Sequence, residues 1–159
     1  FKRIAVMRFF YKISPPKKNI IFHNTLSHEI KKYILTSEEH YTEVIEPWEI
    51  NLNIKILLLF VKNIVKIKRD TSLLFFLFSV YQYSRIEYYK PSIVITFIDN
   101  ESIFQWVSRH YNKSNFYAIQ NGNRSKKELT SDFRNNLTTF FTFGDYEKEQ
   151  YYKYYYRWY

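Results

Sequence analysis

The chain has 159 residues, which is long enough for one domain with a hydrophobic core. It contains no cysteine, which excludes disulfides, thiolate zinc sites and cysteine nucleophiles, and its two glycines are too few for a phosphate-binding loop or a dinucleotide fingerprint. The formal charge of +9 favours anionic partners such as phosphates or an acidic membrane face, although an A/T-rich coding sequence also enriches lysine. No apolar run approaches the ~18 residues of a membrane span, so we expect a soluble or peripheral protein.

The N-terminal third is predicted to pass from a basic segment into two short strands. Residues 1–18 are basic and end in the linker Pro15-Pro16-Lys17-Lys18, where the prolines end regular structure. Strands follow at 19–23 and 41–46, separated by a helical pattern. Asn24 lies between the first strand and that helix, at a turn that could bind an anion or substrate, although the turn lacks glycine.

Two helices are predicted next. Apolar residues recur at helical spacing from Ile54 onward, and this face is expected to be buried while the lysines lie off it; the face comprises Ile54, Leu57, Leu58, Val61, Ile64 and Val65. Glu49 and Asn51 precede this helix and are interpreted as capping residues. The second helix, 73–89, can be capped by residues 70–72, and its aromatic residues, together with Leu74, are expected to be core.

A βαβ unit is predicted over residues 91–124. The apolar, β-branched run 92–98 is typical of a strand buried on both faces, helical spacing follows from Phe104, and a second apolar run covers 116–119. A fifth strand is predicted at 138–143, and a Tyr-rich helix, cut off from a further domain, at 146–159. Strands alternating with helices indicate an α/β, Rossmann-like doubly wound, mostly parallel sheet of about five strands with helices on both faces.

Two polar clusters follow the strands of this unit, where ligands collect in parallel sheets. Asp99 and Glu101 are candidate catalytic bases for accepting a hydroxyl proton, although Asp99 and Asn100 could instead cap and complete the turn into the next helix. The candidate substrate-binding residues are Asn24, Asn100, Gln120, Asn121, Gly122 and Arg124; for the last four the alternative is an ordinary Asn-Gly turn. His23 ends the first strand and could face the crevice. No histidine has metal-ligand spacing, so no metal is expected.

The phrases from Lys90 to Asn100 and from Ala118 to Arg124 resemble a family of bacterial surface-carbohydrate biosynthesis proteins, those of O-antigen or capsule. Residues 49–52 before an apolar helix, and Phe141-Thr142-Phe143-Gly144, are also similar to that family's pattern. The resemblance covers roughly residues 19–150. It implies a glycosyltransferase with the two-domain GT-B fold, of which residues 19–145 would be the N-terminal, acceptor-side domain.

The resemblance further implies a nucleotide-sugar donor as substrate, no separate cofactor, and a lipid-linked or glycan acceptor. The missing C-terminal domain would hold the donor, so we expect this chain to be inactive alone. The location implied is cytoplasmic, peripheral at the inner face of the cytoplasmic membrane. The alternatives are a sugar-nucleotide epimerase of similar fold and a non-catalytic basic binding module; no recognition helix or aromatic RNA-binding motif supports nucleic acid as a partner.

Overall fold

A computed structural model of the chain describes residues 8–10, 19–24, 42–46, 49–98, 101–120, 122, 136–142, 144, 145 and 149. Its elements, in chain order, are β1 (Arg8–Phe10), β2 (Ile20–His23), β3 (Thr42–Ile45), β4 (Glu49–Asn51), α1 (Ile54–Lys66), α2 (Leu73–Tyr89), β5 (Ile93–Thr96), α3 (Ser102–His110), β6 (Asn115–Ile119) and β7 (Thr139–Phe141). The predicted helix after Asn24, the loop after Arg124 and the Tyr-rich helix at 146–159 lie largely or wholly outside the described residues.

A five-stranded sheet forms the centre of the fold. Its strands lie in the order β3-β2-β5-β6-β7, and every neighbouring pair is parallel. All five predicted strands are present, and the fold is α/β and Rossmann-like, as the alternation of apolar runs and helical patterns predicted. Within it, β5, α3 and β6 form the predicted βαβ unit, since β5 and β6 are adjacent and parallel with α3 between them.

The larger of two hydrophobic clusters lies on one face of the sheet, beneath the three described helices. Ile21, Val94 and Phe116 point from the strands into a cluster that contains Phe76 of α2 and Trp106 of α3. Period-two alternation places the neighbouring residues on the opposite face, where Ile20, Phe22 and Ile95 are also buried. Burial on both faces explains why these strands are runs of large apolar residues.

Only part of the predicted face of α1 is buried. Ile54, Leu58, Val61 and Val65 are exposed, with 62%, 64%, 62% and 85% of their surface accessible. The buried residues of the helix are Ile56 and Asn63, which were not on the predicted face. Ile64, which was on it, and Phe60 pack against the core beside α2. The expectation failed because this helix carries apolar residues on more than one face.

A second, two-stranded parallel sheet pairs β1 with β4. This pairing corrects one prediction, because Glu49 and Asn51 are strand residues rather than helix caps. It also shows that residues 8–10, within the basic N-terminal segment, form a strand. The cap of α1 is Asn53, whose side chain accepts a hydrogen bond from the Lys55 N–H at 2.9 Å. The Tyr81 hydroxyl anchors β4 to α2, because it accepts a hydrogen bond from the Asn51 N–H and donates one to the Asn51 carbonyl oxygen.

The second helix, α2, confirms the aromatic core and corrects its capping. Phe76, Phe78 and Tyr81 are buried, whereas Leu74 near the helix start is 67% exposed. Ser72 occupies the N-cap position, but its side chain makes no capping hydrogen bond. None of the described helices combines the length and the apolar composition that a membrane crossing requires.

Candidate functional site

The candidate site lies where the order of the sheet reverses. From β2 the chain moves to β3 on one side, and β5 then lies on the other side of β2. The connections that leave β2 and β5 therefore run in opposite directions, and sheets of this topology form a ligand crevice beyond the carboxyl ends of the two strands at such a point. Asn24 follows β2 and Glu101 follows β5 across this point, so two of the predicted site residues lie at the position where this topology places ligands.

Thr96, the last residue of β5, joins the two strand ends. Its Oγ1 accepts hydrogen bonds from Asn24 Nδ2 at 3.3 Å and from the Ile98 N–H at 3.1 Å, and it lies 3.3 Å from the His23 carbonyl oxygen. Thr96 was not predicted as a site residue. The signal for it was a hydroxyl in a strand that is otherwise aliphatic and buried on both faces.

Asn24 adopts a left-handed backbone conformation, with φ 90°, and is 5% exposed. Its N–H donates to the Ile45 carbonyl at 2.8 Å, which ties the end of β2 to the end of β3. Asparagine tolerates positive φ better than most residues, which accounts for its place here. The structure therefore gives Asn24 a positioning role at the crevice, and its predicted contact with substrate stays a prediction.

Glu101 caps α3. Its carboxylate oxygens accept hydrogen bonds from the N–H groups of Ile103 and Phe104, in the first turn of the helix. The side chain is 15% exposed, and burial raises its pKa from 4.5 to about 7 although the two backbone hydrogen bonds lower it. Desolvation of the charged form outweighs the favourable helix terminus, which leaves this carboxyl group poised to gain or lose a proton near neutral pH.

His23 lies beside Glu101 and is fully buried rather than facing an open crevice. Its Nδ1 is 3.8 Å from a Glu101 carboxylate oxygen, and its ring contacts Phe104 edge to face at 5.4 Å. Burial, with a smaller effect from the Arg85 charge, lowers the pKa of His23 to about 3. The imidazole is therefore neutral at pH 7, and the contact with Glu101 is not an ion pair.

Arg85 supplies the positive charge behind this site. It is fully buried in α2, and its Nη1 donates to the carbonyl oxygens of Glu46 and Glu49 at 3.3 Å. Sequence reasoning did not single it out. The signal was the single cation of a helix that is made mostly of aromatic and aliphatic residues.

Gln120 ends β6, the strand next to β5. Its side chain is fully buried, and its Nε2 donates to the Gly122 carbonyl at 2.8 Å, which closes the predicted turn. The Gln120 Oε1 atom is buried and finds no hydrogen-bond partner among the described residues. An unsatisfied buried amide oxygen carries a free-energy cost, and a hydroxyl donor on a ligand would remove it.

The described part of the predicted site comprises Asn24, Glu101, Gln120 and Gly122, all at the carboxyl edge of the sheet. The other predicted residues, Asp99, Asn100, Asn121 and Arg124, lie outside the described residues. Among the residues that the structure describes, no group of three or more His, Asp or Glu could hold a metal ion.

The chemistry of this edge follows from Glu101. A helix N-terminus ordinarily attracts phosphate, but here the Glu101 carboxyl group already occupies the first turn of α3. A neutral ligand with hydroxyl groups fits this position better than a second anion would. Comparisons with protein-family models, with curated proteins and with solved structures find no match to this chain.

Proposed function

We propose that this chain is the acceptor-side domain of a glycosyltransferase of bacterial surface-polysaccharide synthesis. The acceptor, a glycan or lipid-linked sugar, binds at the carboxyl edge between β2 and β5, and the sugar comes from a nucleotide-sugar donor. Glu101 accepts the proton of the attacking acceptor hydroxyl. The protein acts at the cytoplasmic face of the membrane as a peripheral protein.

The observation that carries this proposal is the position and pKa of Glu101. A general base works best when its pKa is near the working pH, and the pKa of this carboxyl group is raised to about 7 by burial. A carboxylic acid with an ordinary pKa would be a much weaker base toward a sugar hydroxyl. The partial exposure of the side chain leaves it accessible to a ligand in the crevice.

Two further features support an acceptor rather than a donor at this edge. The N-terminus of α3 is occupied by Glu101, so a diphosphate would meet a negative charge there. The Gln120 Oε1 atom, buried at the end of the neighbouring strand, has no donor among the described residues, and a rotation of its side chain toward the crevice would let it accept a hydrogen bond from a sugar hydroxyl. Both features suit a neutral polyol.

Amide chemical shifts of the 15N-labelled chain test this assignment with three probes: octyl β-glucoside below its micelle concentration, UDP-glucose, and a single-stranded oligonucleotide. We expect octyl β-glucoside at millimolar concentration to shift the amides of Asn24, Glu101, Gln120 and Gly122, with weaker binding to Glu101→Gln. Shifts at these amides with UDP-glucose alone would favour the epimerase. Salt-sensitive shifts with the oligonucleotide alone would favour the basic binding module, and no shift at this edge would refute the proposal.

A further inference from the structure

The outer face of α1 carries an apolar stripe that the fold leaves open to solvent. Ile54, Leu58, Val61 and Val65 are spaced by four, three and four residues, and all are more than half exposed. At about 100° of rotation per residue, these four side chains share one narrow face of the helix. A contiguous apolar surface of this kind marks an interaction site, whereas single exposed apolar residues do not.

This stripe is separate from the face that α1 uses to pack. Ile56 and Asn63 are buried, and they lie about 180° around the helix from the stripe. Asn63 is fixed there by hydrogen bonds from its Nδ2 to Ser84 Oγ at 3.1 Å and to the Glu87 carboxylate at 2.7 Å. The core contacts therefore hold the stripe outward, and folding does not require it to be apolar.

The charges around the stripe all have one sign. Every ionisable side chain between residues 54 and 69 is cationic, and all of them are exposed; they are Lys55, Lys62, Lys66, Lys68 and Arg69. The three helical lysines form a row about 60–120° from the centre of the stripe, at its border. An apolar face bordered by lysines, with no acidic residue along the helix, complements an anionic lipid surface.

We propose that α1 is a membrane-binding helix, which lies in the plane of an anionic bilayer with its apolar stripe among the acyl chains and its lysines at the lipid phosphates. A second protein chain would leave this row of cations uncompensated unless that chain were acidic. The inference rests on the peripheral location proposed above and names the surface responsible for it. It does not depend on the reaction at the carboxyl edge.

Co-sedimentation with vesicles tests the proposal. We expect the chain to bind vesicles of equal parts phosphatidylcholine and phosphatidylglycerol, and to bind phosphatidylcholine vesicles far more weakly. The double variant Lys62→Gln/Lys66→Gln should lower the partition coefficient about thirtyfold, since each basic residue near an anionic surface contributes about fivefold. The matched control Arg109→Gln/Lys113→Gln removes the same charge from exposed positions elsewhere and should change binding less than about threefold.

The apolar stripe is tested separately with Leu58→Gln/Val65→Gln, which should reduce binding about tenfold or more because both side chains leave the lipid. Phe141→Gln, a change at a half-exposed residue of β7, is the control and should bind as the native chain does. These side chains are exposed, so the variants keep the native fold.

Three outcomes would overturn the proposal: no vesicle binding by the native chain, equal binding by all variants, or a dimer in gel filtration that Leu58→Gln/Val65→Gln converts to monomer without any vesicle binding. The last outcome would assign the stripe to a second copy of this chain. Vesicle binding without glycoside binding at the carboxyl edge would refute the proposed reaction alone, and the reverse result would refute only the membrane surface.

Discussion

Replacing Glu101 by glutamine removes a titrating group and keeps the length of the side chain and one oxygen for capping α3. In the folded protein the pKa of Glu101 is about 7, compared with 4.5 for an unperturbed glutamate. At about 1.4 kcal/mol per pKa unit, this difference corresponds to about 3 kcal/mol of the free energy of unfolding. The side chain is only 15% exposed, so solvent screening reduces this value little.

The direction in which stability changes with pH follows from the direction of the pKa change. Below pH 4.5 the Glu101 carboxyl group is protonated in both the folded and the unfolded chain, and its burial carries no charge penalty. Between pH 4.5 and about 7 the unfolded chain ionises this group while the folded protein keeps it protonated, so native stability falls over this range and levels off above pH 7. The stability of Glu101→Gln relative to the native chain should therefore rise by about 3 kcal/mol between pH 4.5 and pH 8.

His23 acts in the opposite direction. Its pKa is lowered from 6.5 to about 3, so its contribution to stability is present above pH 6.5 and is lost as the pH falls toward 3. Between pH 4.5 and 6.5 the two groups offset each other in the native chain. In Glu101→Gln only the His23 effect remains, so that variant should lose about 2–3 kcal/mol as the pH falls across this range.

Urea unfolding followed by tryptophan fluorescence, at half-unit steps from pH 4.5 to 8, measures both proteins. The difference between the two unfolding free energies isolates Glu101, because all other titrating groups are shared. A difference that stays constant over this range would show that the pKa of Glu101 is not raised. That result would also remove the basis for its role as a general base.

Two further changes test the elements that support the site. Asn24→Ala should destabilise the fold by about 2–3 kcal/mol, because alanine at positive φ is strained and the hydrogen bond to Thr96 is lost. Asn24→Gly loses the same hydrogen bond without the strain and should cost about half as much. Urea unfolding compares the two variants, and equal losses of stability would show that the positive φ is irrelevant. Tyr81→Phe removes the hydroxyl that forms hydrogen bonds with both backbone groups of Asn51 and should cost about 1–3 kcal/mol of stability. Tyr117→Phe, at a half-exposed position, is the control. Thermal denaturation measures both variants, and a loss for Tyr81→Phe no larger than for the control would contradict the anchoring role.

The parallel sheet and its βαβ unit could be predicted from the sequence because their signals are local. A run such as Ile93-Val94-Ile95 is apolar on both faces of a strand, and it is separated from the next run by helical spacing and polar turns. These signals depend on residues close together in the chain. For the same reason, the carboxyl ends of the strands, and with them Glu101 and Gln120, could be identified as the site edge.

The pairing of β1 with β4 could not be predicted, because it joins segments about forty residues apart in the chain and depends on β4 being held by Tyr81. The orientation of α1 was also undetermined. Apolar residues lie both on the stripe and on the packing face, and the side of α1 that meets α2 decides which set is buried.

The sequence by itself determined which segments form strands and helices, and where the polar residues follow them. Only the tertiary structure decided the chemistry of those residues. A glutamate after a strand is an ordinary acid until burial beside His23 and Phe104 removes water from it, and that loss of hydration raises its pKa to about 7. Burial depends on every element packed around the side chain, and no local pattern encodes it.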